Sequence, residues 1–434
     1  MAFLDSFIEE RAPEWIALRR QFHADAELGF TEYATATRLA ERLSSLGFEV
    51  RVGTEVMQSE SMRGKPPPAS IAARQAIARE HVNNAQRWLT GMPDGQTGII
   101  AEMRRGDGPV TALRFDIDAL PILESDAHGH APSQGAYRSH NHGVMHACGH
   151  DGHAAIGVGV AEWLSQPESD WRGTVRLIFQ PAEEGGRGAK PMADAGVVDD
   201  VDYFFAAHLG TGLGSGKIGA AGVSMLYSTK LDVQFHGLAS HAGGNPHGGR
   251  NALLAGAAAV QNLHAIARHS GGASRVNVGK MVSGEGRNIT AAHCLLEMEV
   301  RGETEEVADY MEARARTVIE AAASMHDVEF EVEVVGQTIG GPFDERAQAI
   351  VADAAADTPG VDEVLPTWRL TGGEDAPFFM RRVQARGGAA VYFVIGSDLA
   401  AYHHANNFDF DEASIATGVG VYARVVERAA RQNT

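Results

Sequence analysis

The chain of 434 residues is too long for one ordinary compact core, so two domains are expected. Hydrophobic residues make up 44% and charged residues 21%, the balance of a soluble globular protein, and no apolar run is long enough for a membrane-spanning helix. A net charge of −19 excludes nucleic acid and anionic lipid as partners, and any anionic substrate must find a local basic pocket against that field.

The N-terminus carries acids where a secretion signal carries bases, and only two cysteines, Cys148 and Cys294, are present. Both features lead to the expectation of a cytoplasmic protein. The first sixty residues read as helical, with Ala34, Leu39, Leu43 and Leu46 roughly on one face and Gly47 as the stop. Residues 53–96 read as a surface insertion. Lys65-Pro66-Pro67-Pro68 cannot be helix interior, and a helix from about Ala69 to Leu89 follows. Short continuous apolar runs at 98–103, 110–115, 174–179, 202–208 and 389–396 read as buried strands, with helical stretches between several of them. The expected fold class is α/β, a mostly parallel central sheet covered by helices.

Residues 228–335 follow a different pattern. Strand 228–237 alternates, with Leu231, Val233 and Phe235 on one face. A helix over 251–268, strands 275–282 and 295–302, a helix over 305–325 and a strand over 328–335 complete the order β-α-β-β-α-β. In the last strand Val328, Phe330, Val332 and Val334 face one way. This order predicts an inserted ferredoxin-like β-α-β-β-α-β unit with one face of its sheet open. The expected boundaries are 1–226 and 337–434 for the two parts of the catalytic domain and 227–336 for the insertion.

Residues able to carry chemistry gather at strand ends. In Met145–His153, Cys148 and His150 lie two residues apart on a glycine-containing loop, so a thiolate and an imidazole can converge on one metal ion. Glu183 and Glu184 follow strand 174–179 directly, where one acid can bind metal while its neighbour moves a proton. His208 ends strand 202–208, and His403-His404 follow strand 389–396. Asp116 and Asp118 follow strand 110–115, placed to orient a histidine. From the smaller unit, His241, Asn288 and Arg301 offer a carbonyl-polarising imidazole, an amide and a carboxylate-binding fork.

Seven stretches carry a resemblance: Phe115–Pro121, Met145–His153, Phe179–Gly185, Ala207-His208, Ser240–Ala242, Gly373–Asp375 and His404–Phe408. In this order, from about residue 17 to the end, the chain resembles the metallopeptidase and amidohydrolase family that holds hippurate hydrolase, aminoacylases, indole-acetyl-amino-acid hydrolases and glutamate carboxypeptidases. The resemblance implies two divalent metal ions, manganese or zinc. Cys148 would bridge them, with His150, His208, Glu184 and a histidine of the 403–404 pair as further ligands. His404 fits the spacing to Phe408 better than His403. Glu183 would be the general acid/base, and Asp118 would steady a ligand. The inserted unit would serve as lid and dimerisation domain, with His241 acting in catalysis from across a dimer interface, and Asn288 and Arg301 would bind substrate. Asp116 stands where other branches have a histidine ligand, whose place His150 takes. The implied reaction is hydrolysis of a small-molecule N-acyl acidic amino acid. The segments 53–96, Asp199–Phe204 and Gly272–Gly279 resemble the branch acting on p-aminobenzoyl-glutamate. Indole-3-acetyl-aspartate is the alternative substrate. A homodimer is expected, and a weakly active subunit requiring a homologous partner is the competing reading.

Overall fold

The apolar runs become the strands of a mixed eight-stranded sheet in the computed structural model, which describes residues 2–370 and 372–432. The first half of the chain carries β1 (Glu49–Val52), β2 (Ile99–Arg105), β3 (Val110–Asp116), β4 (Gly173–Gln180), β5 (Tyr203–Leu209), β6 (Lys217–Gly219) and β7 (Gly222–Val223). A block of four follows: β8 (Tyr227–His236), β9 (Ser274–Ser283), β10 (His293–Gly302) and β11 (Glu329–Thr338). The last part adds β12 (Glu363–Leu365), β13 (Trp368–Arg369) and β14 (Ala389–Ile395).

The large sheet has the order β1-β2-β4-β3-β5-β14-β6-β12. Its centre, β4-β3-β5-β14, is parallel, whereas β1, β2 and β6 join antiparallel to their inner neighbours. Both faces are covered, which is why the central strands read as unbroken apolar runs. Leu113, Phe115, Leu177, Phe179, Val391 and Phe393 pack with Trp15 and Trp163 of the helices Ala2–Ala24 and His150–Leu164. Ala112, Ile178, Phe204 and Val394 pack on the opposite face with Met192 and Phe379. The four central strands therefore point their carboxyl ends at one edge.

The second sheet, β11-β8-β10-β9, is antiparallel throughout and carries the helices Ala252–His264 and Glu305–Met325 on one face. Leu231, Val233, Phe235, Leu296 and Met298 face those helices. Ser228, Lys230, Glu299 and Arg301 alternate with these core residues and lie on the open face.

Three local expectations change. The first sixty residues are not all helix. Helix Tyr33–Ser45 ends at Gly47, where φ is 89°, with Gly47 N–H bonded to Ser44 O and Phe48 N–H to Leu43 O, and β1 follows. The expected helix over 69–89 is two helices, Pro68–His81 and Ala85–Leu89, broken at Asn84 in the left-handed region. This segment is also more than a surface feature, because Ile71, Ala78, Trp88 and Leu89 are buried in the main core. In β11 the expected facing holds: Phe330, Val332 and Val334 pair with Phe235, Val233 and Leu231, although Phe330 itself is exposed.

Candidate functional site

The strand-end motifs meet at the carboxyl edge of β4-β3-β5-β14. Cys148 lies two residues before helix His150–Leu164, and Gly149 enters that helix at φ 90°, a conformation that favours glycine. Glu183 and Glu184 follow β4, His208 lies in β5 and His404 follows β14. Gly186 ties the acid-bearing loop to the second sheet. Its carbonyl accepts from Gln337 N–H at 2.9 Å, and a Cβ there would meet Gln337 O at 2.5 Å.

Five overlapping triads bring their ligand atoms within 4.8 Å of one another: Cys148, His150 and His208; Cys148, Glu184 and His404; His150, Glu183 and Glu184; Asp116, His150 and His153; and Glu183, Glu374 and Asp375. Cys148 belongs to two of them, and its sulfur lies 3.4 Å from His208 Nε2. His150 Nδ1 donates to the Asp118 carbonyl at 2.9 Å and to its carboxylate at 3.2 Å. His208 Nδ1 donates to Leu209 O at 2.8 Å. In both rings the second nitrogen is left to face the cluster. Asp118 also accepts the backbone N–H groups of Glu183 and Glu184 at 3.0 and 2.9 Å, so one carboxylate positions three members of the site.

His404 Nε2 lies 3.3 Å from Glu184 Oε1, whereas His403 Nε2 accepts from Thr211 N–H at 3.0 Å and its ring is outside the triads. His404 has φ 69°, a strained conformation for a non-glycine residue, held by its N–H bond to Ala147 O at 2.8 Å. Asp116 neutralises buried Arg114 at 2.6 Å and receives the Nδ1 proton of His153, whose Nε2 accepts from Leu209 N–H. Arg114 also reaches Glu374 and Asp375 at 2.9 and 3.2 Å. That buried network was not legible as such in the sequence.

The electrostatics suit a cation cluster. Burial holds His208 well below the usual imidazole range, helped by His153 and His403, so its ring is neutral. Burial, together with the charges of Glu374 and Glu184, pushes the Glu183 carboxyl well above the usual carboxylate range. Burial and Glu184 also raise the Cys148 thiol. His150 Nε2 and Glu184 Oε1 are buried without a hydrogen-bond partner among the described residues. An imidazole nitrogen and a carboxylate oxygen without partners, beside the Cys148 sulfur, are a donor set that fits divalent metal ions.

The cluster opens into a cavity of about 380 Å³ between the two sheets. Cys148, Glu183, Glu184, His208 and His404 line one side, and Ser228, Lys230, Arg301 and Thr338 line the other. Arg301 therefore reaches the site, clamped by Glu299 at 2.8 and 3.0 Å. Ser228 and Lys230 are functional candidates that sequence reasoning missed; their alternation with Leu231 and Val233 is the signal that places them opposite the core.

His241 and Asn288 are not brought into this cavity. They sit together, exposed, linked by the bridge His241↔Ile289 and the bond from Ala242 N–H to Asn288 O at 3.0 Å. Strand β8 runs from the cavity end at Ser228 to His236 before His241 is reached, roughly 25 Å of extended chain. Within one chain, then, Arg301 and His241 stand at opposite ends of the same sheet.

A parallel α/β edge bearing thiol, imidazole and paired carboxylates beside an open sheet defines a hydrolase of metallopeptidase type. Residues 112–428 match Peptidase family M20/M25/M40. The chain belongs to this family and hydrolyses amide bonds. It is 44% identical to a p-aminobenzoyl-glutamate hydrolase subunit of Escherichia coli (strain K12), over 98% of each chain. It is 43% identical to indole-3-acetyl-aspartic acid hydrolase of Enterobacter agglomerans, over 98% of this chain and 97% of that one. The crystal structure of the aminobenzoyl-glutamate utilization protein from Klebsiella pneumoniae superposes with a TM-score of 0.84 at 38% identity, over 99% of both chains. No helix among the described residues is long and apolar enough to cross a membrane.

Proposed function

We propose that the chain releases an acidic amino acid from its N-acyl conjugate, with p-aminobenzoyl-glutamate cleaved to p-aminobenzoate and glutamate; indole-3-acetyl-aspartate is the alternative substrate. The observation that carries this reading is the pair of triads sharing Cys148, with the buried carboxylate of Glu183 beside them. In this reading Cys148, His150 and His208 would hold one divalent ion, and Cys148, Glu184 and His404 would hold the other. When bound, such ions polarise an amide carbonyl and lower the pKa of water towards about 7.

The protein's own groups do the rest. Glu183 takes the proton of the attacking water and returns it to the departing nitrogen. Asp118 holds His150 and the backbone of both glutamates in place. Arg301 forks onto a carboxylate of the released amino acid. His241 and Asn288 lie too far along β8 to serve their own cavity, so a second copy supplies them and stabilises the developing oxyanion. Exposed Leu238, Leu254, Val282 and Ile289 surround that end of the small sheet and give a dimer its apolar contact. The E. coli relative is named as one subunit of its hydrolase, which favours a second arrangement, in which a homologous subunit takes the place of the second copy.

The test is release of free amino acid by the purified chain loaded with manganese or zinc, beside a chelated control. Rapid metal-dependent release of glutamate from p-aminobenzoyl-glutamate is expected. Release that survives removal of all bound metal would sink the assignment.

A further inference from the structure

The cavity is asymmetric in charge. The large-sheet side brings Glu183, Glu184 and Glu374, and the only lysine and arginine among its lining residues are Lys230 and Arg301, both on the open face of the small sheet. The two cations are not equivalent. Arg301 is held in a two-bond fork by Glu299. Lys230 stands directly across from Glu299 in the register, yet forms no ion pair or hydrogen bond among the described residues. Burial lowers its ammonium below the usual lysine range, against the opposing pull of Glu299 and Glu183. An ammonium on a partly dry wall without a partner is costly unless something anionic arrives.

A second group on the same face is also unsatisfied. Ser228 lies two residues before Lys230 and pairs with Arg301. It is 3% exposed, lines the cavity, and its hydroxyl has no partner among the described residues. Thr338, the neighbour on β11, is different, since its hydroxyl already donates to Leu226 O at 3.0 Å. Two cations and one free hydroxyl exceed what a single carboxylate needs.

We infer that Lys230, with the Ser228 hydroxyl, receives the side-chain carboxylate of the released amino acid and makes the enzyme specific for dicarboxylic amino acids, while Arg301 receives the α-carboxylate. The inference rests on the amidohydrolase reading above. It also explains how a strongly acidic protein holds an acidic product: the basic pocket that its net charge demands is this pair of side chains on one sheet face. A lysine on a flexible stem acts as a point charge and adapts to a carboxylate one methylene nearer or farther, so aspartate and glutamate are both accepted.

The test uses the full metal-loaded chain with N-(p-aminobenzoyl)-glutamate and its neutral isostere N-(p-aminobenzoyl)-glutamine. Lys230→Met should lower kcat/KM for the glutamate conjugate by on the order of 30-fold or more, the loss expected when one partner of a desolvated charge pair is removed. The glutamine conjugate should change little, and Lys230→Arg should recover much of the loss. A second readout needs no turnover: free glutamate should raise the Tm of the wild type, glutamine should not, and Lys230→Met should abolish the shift. Equal losses on both conjugates, or an unchanged preference for the acid, would overturn the inference. If the wild type cleaves no conjugate, the amidohydrolase reading fails by itself. The Tm shift then still decides for Lys230, which is overturned if the shift is absent in the wild type or survives the substitution.

Discussion

The two walls of the cavity are built to different standards. On the large-sheet wall the histidines facing the cluster are fixed from behind: His150 by Asp118, His208 by Leu209 O and His404 by its backbone bond to Ala147. On the small-sheet wall Ser228 and Lys230 have no partner among the described residues, and Arg301 has only its neighbour Glu299. The difference separates chemistry from recognition. Groups that must hold a cation or move a proton need fixed geometry, which requires a supporting shell. Groups that meet a variable ligand can wait unpaired until the ligand completes them. Substitutions on the first wall should therefore cost turnover, and substitutions on the second should change which substrate is taken.

The largest effect should come from Glu183→Gln. It keeps the shape and removes the proton carrier, so kcat should fall by about 10²–10⁴-fold, the usual share of a general base. Metal content measured on the same sample should stay at the wild-type value. Loss of metal together with activity would instead make Glu183 a ligand and blur the division of labour between the adjacent glutamates. Asp118→Ala should come next. It removes the acceptor of His150 Nδ1 and of two backbone N–H groups at once. Metal affinity should weaken by about 10–100-fold, as measured by competition with a chelator. If affinity is untouched, the large-sheet wall is less dependent on its backing than its hydrogen bonds indicate.

The far end of the small sheet gives a third test. Glu183→Gln and His241→Ala should each be nearly inactive alone. If His241 serves a neighbouring copy, mixing the two variants after dissociation and reassociation should restore about a quarter of the wild-type activity, as random pairing in a two-fold dimer dictates. No restoration would place the missing imidazole on a different, homologous subunit or remove it from the reaction.

Much of this site was legible because its residues lie next to strands that cannot be mistaken. Glu183 and His208 sit at or just beyond the ends of continuous apolar runs, and a parallel sheet gathers such ends at one edge. The position of His241 was harder to read, although strand length contained the answer. Ten residues of β8 separate the Arg301 end from the His236 end, so His241 and Arg301 could not share one cavity in one chain. Lys230 and Ser228 were hidden because they belong to the polar half of an alternation whose apolar half alone carries the fold signal. Strands β6, β7, β12 and β13 have only two or three residues each, too few for any period to show. The burial of Trp88 and Leu89 in the core was not visible either, since their contacts come from helix Tyr33–Ser45, distant in sequence.

The smallest effect on turnover lies outside both walls and isolates stability from chemistry. Glu27 is buried, and its carboxyl accepts the N–H groups of Ala34 and Thr35 at 3.1 and 2.9 Å, capping helix Tyr33–Ser45 from a residue that precedes it. Burial raises its pKa to about 7, against the pull of those two N–H groups. The folded chain therefore holds a proton that the unfolded chain loses near the ordinary glutamate value. Stability from this group is fully present below about pH 4.5 and is lost as pH rises towards 7, at a limiting slope of about 1.4 kcal/mol per pH unit. Glu27→Gln keeps an oxygen for the helix and removes the titration. Denaturant unfolding of the variant should show a flatter dependence across pH 5–7, while kcat stays at the wild-type value. An unchanged slope would mean that Glu27 is ionised in the folded chain throughout this range and that the two N–H groups outweigh its burial.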